Sequence, residues 1–378
     1  MRMVTYLSLV LGVLISQQDG NAQAAATPAT NVSVPETVLN IDPGDGNPRN
    51  SEGAFVQLND GRILFAYTHF TGSAGDEGTA HIAGRFSSDN GVTWTREDQL
   101  ILPNEGQQNT MSVSLLRLKS GPIAFFYLRK NSDADCRPYL RISTDEAKTW
   151  SEPQLCIEPV GYFVVNNDRV IQLSTGRLVI PAARHSLPGE KFGRRAQALC
   201  YLSDDDGKSW RQSETVLDAP PESKSGLQEP GIVELSDGRI MMLCRTDVGC
   251  QLRSYSADGG NTWSPVERTD IFSPVSPASF KRIPSTGGLL LVWNNHANIP
   301  EDLKNKRTPL SVAVSNDNGQ SWQYVKNIET NPDGWYCYTA VEFTKDNHVL
   351  LGYCAGDKTI GGLNRARIMR IPVGWLSK

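Results

Sequence analysis

The chain has 378 residues, 39% of them hydrophobic, and a formal net charge of −4, which is the composition of a globular protein long enough to bury a sizeable core. The balanced charge, without a basic block, argues against nucleic acid or an anionic membrane surface as the main partner, because both attract clustered Lys and Arg. These numbers leave the charge of a small substrate open.

The first 24 residues have the features of an export signal. A single Arg precedes an apolar run from Val4 to Ile15, and Ala22-Gln23-Ala24 has the small-x-small form that signal peptidase accepts. The run is shorter than the roughly 20 residues that a membrane-spanning helix needs. The sequence therefore predicts a signal peptide over 1–24, export to the periplasm or the medium, and one mature domain over 25–378 with a disordered start.

Seven cysteines follow the predicted signal peptide. They are Cys136, Cys156, Cys200, Cys244, Cys250, Cys337 and Cys354. In an oxidising compartment some are expected to form disulfides, and an odd number leaves at least one thiol unpaired within the chain. The pairing is not fixed by the sequence. Neither the cysteines nor the five His have metal-binding spacing, so we expect no metal site.

An eight-residue motif that runs from Ser to Trp occurs five times, at intervals of 53 to 60 residues. The copies are SSDNGVTW, STDEAKTW, SDDDGKSW, SADGGNTW and SNDNGQSW, starting at Ser87, Ser143, Ser203, Ser256 and Ser315. A group repeated in every unit cannot mark a single active site, so we interpret each Asp as a turn residue that bonds backbone N–H groups. Ala147 replaces the motif's Gly once, which the turn tolerates if that position avoids positive φ.

A second motif alternates with the first and occurs six times. Its copies are LNDGRIL, LKSGPIA, LSTGRLV, LSDGRIM, PSTGGLL and TKDNHVL. Each places turn residues between apolar runs, which is typical of a tight β-hairpin. With no convincing helical period, the sequence predicts an all-β protein, a six-bladed β-propeller. The last unit lacks the Trp-ending motif, and we expect the stretch from Val32 to Ile41 to supply its missing strand.

The five copies follow the pattern Ser-x-Asp-x-Gly-x-Thr-Trp, with Ala for Gly in one copy and Ser for Thr in two, and they lie in register with the hairpins. In this they resemble the Asp boxes of the sialidase (neuraminidase) superfamily, over nearly the whole mature chain. The resemblance is specific for the scaffold and weak for the activity, because Asp boxes also occur in other propellers. It implies an exo-α-sialidase-like glycosidase that hydrolyses a terminal acidic sugar of a glycan, such as sialic acid, with retention and without a cofactor. Residues that occur once must carry the function.

The resemblance assigns the acid/base and the nucleophile. The family's acid/base Asp lies eleven residues before the first Asp box, which gives Asp76 in GSAGDEGTAHIAGRFS, with Glu77 as the nearest rival. The family's Tyr nucleophile matches Tyr338 in WYCYTAVEF. A phenol suits an anomeric carbon whose carboxylate would repel an anionic nucleophile. Tyr336 is expected to share a strand face with Tyr338 and is its main competitor.

The same resemblance assigns the base partner and two substrate-binding arginines. LQEPGIVELSDGRIMMLCR resembles the strand that carries the family's Glu and, one hairpin later, an Arg, which gives Glu229 and Arg245. Glu234 belongs to the hairpin strand and is expected to face solvent. Arg307 precedes the strand that leads into the fifth Asp box, as the family's third Arg does. Guanidinium groups match a carboxylate in a way that Lys does not.

The family's first Arg belongs to an Arg-Ile-Pro triplet, and here the sequence departs from the pattern. Ser51-Glu52-Gly53 stands in that place. Arg49 lies two residues earlier, and alternate residues of a strand share a face, so Arg49 is the candidate for the missing substrate-binding position. If Arg49 does not take that position, only two arginines remain to bind the substrate carboxylate. The negative charge of Glu52 then disfavours an anionic substrate. Arg169 and Arg137 are further cationic candidates, each interpreted as a salt-bridged surface residue.

Two alternatives stay open. One is a different carbohydrate-active propeller, either a hydrolase of another acidic sugar or a polysaccharide lyase that abstracts a proton beside a uronate carboxylate. The histidines available to a lyase are His69, His81, His185 and His296. The other alternative is a non-catalytic glycan- or protein-binding propeller, in which Asp76, Glu229 and Tyr338 are not expected to converge.

Overall fold

The computed structural model describes Met1, residues 34–190 and residues 192–378. Apart from Met1, the predicted signal peptide and the start of the mature domain lie outside the described residues. Strand accounts for 49% of the structure and helix for 2%, so the prediction of an all-β protein is confirmed. In the described ranges, no helix is long and apolar enough to cross a membrane.

The strands follow one another in short hairpin-connected groups. In the first half of the chain they are β1 (Glu36–Ile41), β2 (Arg49–Gln57), β3 (Ile63–Phe70), β4 (Ala80–Ser87), β5 (Gln99–Leu102), β6 (Asn109–Arg117), β7 (Ile123–Ser132), β8 (Asp135–Ser143), β9 (Gln154–Leu155), β10 (Tyr162–Val164), β11 (Ile171–Gln172) and β12 (Leu178–Ser186). In the second half they are β13 (Gln197–Ser203), β14 (Arg211–Gln212), β15 (Gln228–Glu234), β16 (Ile240–Arg245), β17 (Cys250–Ser256), β18 (Glu267–Phe272), β19 (Ser279–Arg282), β20 (Leu289–Trp293), β21 (Leu310–Ser315), β22 (Gln323–Glu329), β23 (Gly334–Phe343), β24 (His348–Asp357) and β25 (Ala366–Pro372). The helical elements are a 3-10 helix (Glu301–Leu303) and α1 (Val373–Leu376).

Three sheets have four strands each, in the orders β15-β16-β17-β18, β19-β20-β21-β22 and β1-β25-β24-β23. The strands from β2 to β14 form one larger sheet, in which parallel pairs of β4 with β6 and of β8 with β10 connect the antiparallel groups. Strand β1 pairs antiparallel with β25. The prediction that an N-terminal stretch completes the last sheet is therefore confirmed.

Six hydrophobic clusters fill the spaces between consecutive groups of strands. They join β2–β4 to β6–β8, β6–β8 to β12–β13, β12–β13 to β15–β17, β15–β17 to β19–β21, β19–β21 to β23–β25, and β23–β25 back to β2–β4. Strand β3 illustrates the pattern, because Leu64 packs into one cluster and Phe65 into another. Burial on both faces accounts for its nearly continuous apolar sequence.

The Asp boxes form one turn that is repeated five times with the same hydrogen bonds. In the fourth copy, Ser256 Oγ accepts from the Gly260 N–H at 2.9 Å and donates to Asp258 Oδ1 at 2.9 Å. The Asp258 carboxylate in turn accepts from the N–H and the hydroxyl of Thr262, and Trp263 packs into the core between β12–β13 and β15–β17. The other four copies have the equivalent bonds. The interpretation of these Asp as turn residues is confirmed.

Two expectations about local structure are wrong. Ala147 has φ of 62°, as its glycine counterparts also have positive φ, so the second turn places an alanine in the left-handed region. Its methyl group is buried against β2–β4 and β6–β8, which offsets part of the roughly 1–2 kcal/mol strain. The seven cysteines, all within the described residues, are buried and unpaired, so the expected disulfides are absent.

Candidate active site

Four non-glycine residues with positive φ lie at corresponding bulges of four strands. Glu52 in β2, Ser112 in β6, Glu229 in β15 and Tyr338 in β23 have φ between 43° and 58°, and each follows the point where its strand pairing shifts register. A bulge re-aims a side chain, and such backbone strain of about 1–3 kcal/mol concentrates at functional sites. Two of the four residues are predicted catalytic groups.

Glu229 and Tyr338 meet although they lie 109 residues apart in the chain. The Tyr338 hydroxyl donates to Oε1 of Glu229 at 3.4 Å, and Oε2 accepts from Nη1 of Arg245 at 2.8 Å. Arg245 reaches the glutamate from the neighbouring strand β16. All three side chains are largely buried. The structure thus brings together the predicted nucleophile, its base partner and one predicted substrate-binding arginine.

Arg307 lies over the ring of Tyr338, with its guanidinium carbon 5.1 Å from the ring centroid. Its Nη2 donates to the Val275 carbonyl at 3.3 Å. Nη1 of Arg307 and Nε of Arg245 are buried and have no hydrogen-bond acceptor among the described residues. Buried charged donors without an acceptor are unfavourable, so these two N–H groups are the candidates in this site for bonding an anionic ligand.

The charges around Tyr338 favour a neutral phenol next to a carboxylate. Burial raises the pKa of the Glu229 carboxyl, but Arg245 and Arg307 outweigh it and hold that pKa below its ordinary value. Burial and the charge of Glu229 raise the pKa of Tyr338 well above its ordinary value. In the free site the phenol therefore keeps its proton, and its hydrogen-bond partner is a base able to take that proton.

Tyr336, the competitor for the nucleophile position, lies elsewhere. It packs in the core between β19–β21 and β23–β25, against Tyr353, where burial and Glu329 raise its pKa to about 12. The expectation that Tyr336 and Tyr338 share a strand face is wrong, because the bulge at Tyr338 interrupts the alternation of β23.

Asp76 lies in the loop between β3 and β4, and its side chain is 61% exposed. Its Oδ1 accepts from Nη1 of the buried Arg49 at 2.6 Å. Its backbone carbonyl accepts from Nδ2 of Asn109 at 2.8 Å, which fixes the loop to β6. The rival Glu77 instead bonds the Ser73 hydroxyl of its own loop at 3.0 Å. Of the two acids, Asp76 is the one that is tied to the interior.

Glu52 occupies the interior between Arg49 and β6. Its Oε1 accepts from Nη2 of Arg49 at 3.2 Å and its Oε2 accepts from the Ser112 hydroxyl at 3.1 Å. Burial raises the pKa of Glu52 to about 7, with Asp76 and Glu229 adding to the rise and Arg49 and Ser112 opposing it. The sequence singled out Glu52 only as an unfavourable neighbour. The structure makes it part of the site.

Asn167, between β10 and β11, was not predicted and connects two of the bulges. Its Nδ2 donates to the carbonyls of Gly53 at 2.7 Å and of Tyr338 at 3.0 Å. The sequence around it, NNDRV, has the composition of an ordinary turn. Only its position in the folded chain distinguishes Asn167. It holds the backbone of the Glu52 and Tyr338 bulges in one arrangement.

The two further cationic candidates have different outcomes. Arg137 pairs with Asp135 at 2.6 Å, as expected. Arg169 was expected at the surface, but it is 4% exposed and donates to the Ala278 carbonyl at 2.8 Å. That expectation is wrong because the turn after β10 runs inward, where the charge of Arg169 also helps to lower the pKa of Glu229.

The histidines and the possible metal ligands bear on the alternative chemistries. His69 and His81 stack on each other, whereas His185 interacts electrostatically with both Glu229 and Arg245. Burial lowers the pKa of His185, which leaves it neutral at pH 7. Across residues 34–190 and 192–378, no group of three or more His, Cys, Asp or Glu is arranged to hold a metal ion.

Comparison with known proteins places the chain in a family. The model of the BNR repeat-like domain matches residues 70–351. A sialidase of Micromonospora viridifaciens is 25% identical over 343 residues, covering 81% of this chain and 50% of that protein. The chain thus spans about half the length of that relative.

Two solved structures establish likeness of fold. The NanB sialidase of Streptococcus pneumoniae has a TM-score of 0.69 at 14% identity, covering 90% of this chain and 71% of that one. The leech intramolecular trans-sialidase, complexed with 2,7-anhydro-Neu5Ac, has a TM-score of 0.70 at 16% identity, covering 92% and 71%. Since the family match extends over most of the chain, the protein belongs to the BNR repeat-like domain family, within the sialidase superfamily and with its β-propeller fold.

Proposed function

We propose that the protein is a six-bladed β-propeller glycosidase that hydrolyses a terminal acidic sugar of the sialic acid type with retention. The six cores between consecutive strand groups, including the one between β23–β25 and β2–β4, support a closed ring of six blades. The single observation that carries the chemistry is the hydrogen bond from Tyr338 to Glu229, flanked by the free N–H groups of Arg245 and Arg307.

Substrate binding uses the two arginines beside Tyr338. A sugar whose anomeric carbon carries a carboxylate places that anion next to the reacting atom. Arg245 and Arg307 supply charge-assisted hydrogen bonds to the carboxylate from donors that the described residues leave unpaired. This arrangement also explains the neutral nucleophile, because an anionic Asp or Glu would be repelled by the substrate carboxylate.

Two displacements complete the reaction. The Tyr338 oxygen attacks the anomeric carbon while Glu229 takes the phenolic proton, and Asp76 donates its proton to the departing glycosidic oxygen. The glycosyl–tyrosine bond then breaks as water, deprotonated by Asp76, attacks the same carbon, and Tyr338 recovers its proton from Glu229. Two inversions at one carbon give net retention. No step in this scheme needs a cofactor.

The predicted signal peptide adds a location to the proposal. An exported enzyme of this type meets glycans outside the cytoplasm, where terminal acidic sugars are presented. The names of the similar proteins, sialidase and intramolecular trans-sialidase, support the same class of sugar. Sequencing the N-terminus of the mature protein tests the export proposal, with a start near Ala25 as the expected result.

Release of a fluorescent phenol from an aryl sialoside tests the activity. We expect turnover by the unchanged chain and a loss of about 10³-fold or more in kcat for Tyr338→Phe, because the nucleophilic oxygen is removed. Tyr336→Phe is the matched control from the same strand and is expected to retain kcat. Equal losses in the two variants would contradict the assignment.

The two alternatives have different readouts in parallel assays. Ultraviolet absorbance from unsaturated uronate, formed on a polyuronate, would favour the lyase over the glycosidase, with His185 as the candidate histidine because it interacts electrostatically with Glu229 and Arg245. Glycan binding without turnover would replace it by the binding propeller.

A further inference from the structure

We propose that Arg49 is a positioning residue for the acid Asp76, anchored by Glu52 and Ser51, and that Arg245 and Arg307 hold the substrate carboxylate without it. This inference rests on the proposed glycosidase function, since it divides roles within the same site. It concerns the position at which the family's Arg-Ile-Pro triplet is absent.

Arg49 has almost no donor left for a ligand. Four of the five N–H groups of its guanidinium are used inside the protein. Nε donates to Ser51 Oγ at 2.8 Å, Nη2 to Glu52 at 3.2 Å, and Nη1 to both Asp76 and the Ala74 carbonyl. The side chain is 1% exposed. Two acidic side chains, Glu52 and Asp76, already contact its single positive charge.

The other two arginines, unlike Arg49, have N–H groups without a hydrogen-bond acceptor in the described part of the chain. Arg245 and Arg307 each have a buried N–H group without an acceptor among the described residues, and both lie beside Tyr338. An incoming carboxylate finds free donors there, whereas at Arg49 it must displace Asp76 or Glu52 from a charge-assisted bond. The expected clamp for the substrate therefore has two arginines.

The bulge in β2 explains how Glu52 reaches Arg49. In a regular strand, residues three apart point to opposite faces, but the register shift between Ser51 and Ala54 inserts an extra residue and brings position 52 to the side of position 49. The bulge requires a glycine at position 53, because a Cβ there would lie 2.5 Å from the ring of Phe65. The sequence Ser-Glu-Gly thus builds the anchor of Arg49 in place of the family's triplet.

For Asp76, the consequence is a fixed orientation in an exposed loop. Arg49 holds Oδ1, while Oδ2 has no hydrogen-bond partner among the described residues and is free to carry the proton for the leaving oxygen. A general acid acts only when its proton reaches the leaving group in the transition state. Arg49 acts on the reaction through this geometry.

Substrates that differ only in the leaving group test the proposal. Proton donation matters for a poor leaving group such as a sugar hydroxyl and little for an activated aryl alcohol. We expect Arg49→Gln to lower kcat on sialyllactose by about 10- to 100-fold and on an aryl sialoside by less than about 3-fold, with little change in KM. Asp76→Asn is expected to lower kcat on both substrates and most on sialyllactose, because Asp76 also takes the proton of the attacking water in the second displacement.

Two further measurements keep the test decisive. Arg245→Gln is the matched variant and is expected to raise KM by the same factor on both substrates. If Arg49→Gln also raises KM equally on both, the proposal is overturned. Should Arg49→Gln fail to fold, Glu52→Ala removes the acceptor of Arg49 Nη2 and is expected to show the same selectivity in a weaker form; equal losses on both substrates would contradict it.

Binding separates this proposal from the proposed function. Calorimetry with free sialic acid is expected to give a Kd for Arg49→Gln within about 2-fold of the unchanged chain, and a loss of about 10-fold for Arg245→Gln. A 10-fold loss in Arg49→Gln overturns the positioning role even in a chain without turnover. If these affinities are found without turnover, the carboxylate-binding role of Arg245 and Arg307 is supported. The proposed hydrolase activity is then contradicted.

Discussion

The Asp-box turns and the four strand bulges are both repeated along the chain, but they repeat different things. The turns repeat residues, so that Ser256, Asp258 and their counterparts make the same hydrogen bonds five times. The bulges repeat a backbone geometry and change the residue each time. Identity of side chains therefore marks the scaffold in this protein, and difference of side chains at one backbone position marks the site.

The largest effect that separates the two regions is expected at the Glu229 bulge. Glu229→Gln keeps the shape of the side chain and removes the base, so kcat should fall by about 10²- to 10⁴-fold. Glu234→Gln is the control from the same strand, where the side chain bonds Ser174 away from the site. Steady-state kinetics check this result, and a comparable loss in the control would show that β15 as a whole, and not the bulge, carries the effect.

At an Asp box the expected effect is on stability. Asp258→Ala removes the acceptor of the bonds from Thr262 and Ser256, and we expect the free energy of unfolding to fall by about 1–3 kcal/mol, with kcat per folded molecule unchanged. Urea denaturation and kinetics on the same sample measure both quantities. Asp237→Ala, which loses an exposed pair with Arg239, serves as the control, with an expected loss below about 1 kcal/mol. A fall in kcat for Asp258→Ala would contradict the distinction between Asp boxes that stabilise the fold and bulges that form the site.

Glu52 is expected to make stability depend on pH. Its pKa is about 7 in the folded protein against an ordinary 4.5, raised by burial, so the folded state keeps a proton that the unfolded state releases. Its contribution to stability is therefore present below pH 4.5 and is lost as the pH rises to 7 and beyond, by up to about 3 kcal/mol.

Glu52→Gln lacks this titration. Thermal unfolding from pH 5 to pH 8 should show the unchanged chain losing stability relative to Glu52→Gln. The groups that set the pKa of Glu52 stay in place, namely Arg49, Ser112, Asp76 and Glu229. A gap between the two proteins that does not change with pH would contradict the assignment.

The smallest effect is expected at Ala147. Ala147→Gly relieves a positive φ of 62°, but it loses a buried methyl group and adds entropy to the unfolded chain. These contributions nearly cancel, so the free energy of unfolding should change by less than about 1 kcal/mol. Chemical denaturation measures it, and a gain above 2 kcal/mol would show that the Asp-box backbone is more strained than these contributions allow.

The sequence predicted the features that depend on repetition or on matched motifs. The hairpins and the Asp-box turns follow from local patterns that recur, and the pairing of β1 with the last sheet follows from the one unit in which the pattern is incomplete. The meeting of Tyr338 with Glu229 and Arg245 was anticipated because each lies in a recognisable segment.

What the sequence did not predict depends on the bulges. Strict alternation of side chains along a strand places Tyr336 on the same face as Tyr338 and Glu52 on the face opposite Arg49. One inserted residue in each strand, β23 and β2, reverses both relations. The role of Asn167 rests on two carbonyls from distant strands, which no local pattern contains. Ala147 adopts the glycine conformation because the surrounding turn imposes it.

Trapping of the glycosyl–enzyme intermediate tests the central claim most directly. A fluorinated sialosyl fluoride, which slows breakdown of the intermediate, is incubated with the chain, and the labelled peptide is identified by mass spectrometry. The account predicts one adduct on Tyr338 that is absent in Tyr338→Phe and present in Tyr336→Phe. An adduct on another residue, or hydrolysis of the sialoside that proceeds undiminished in Tyr338→Phe, would contradict it.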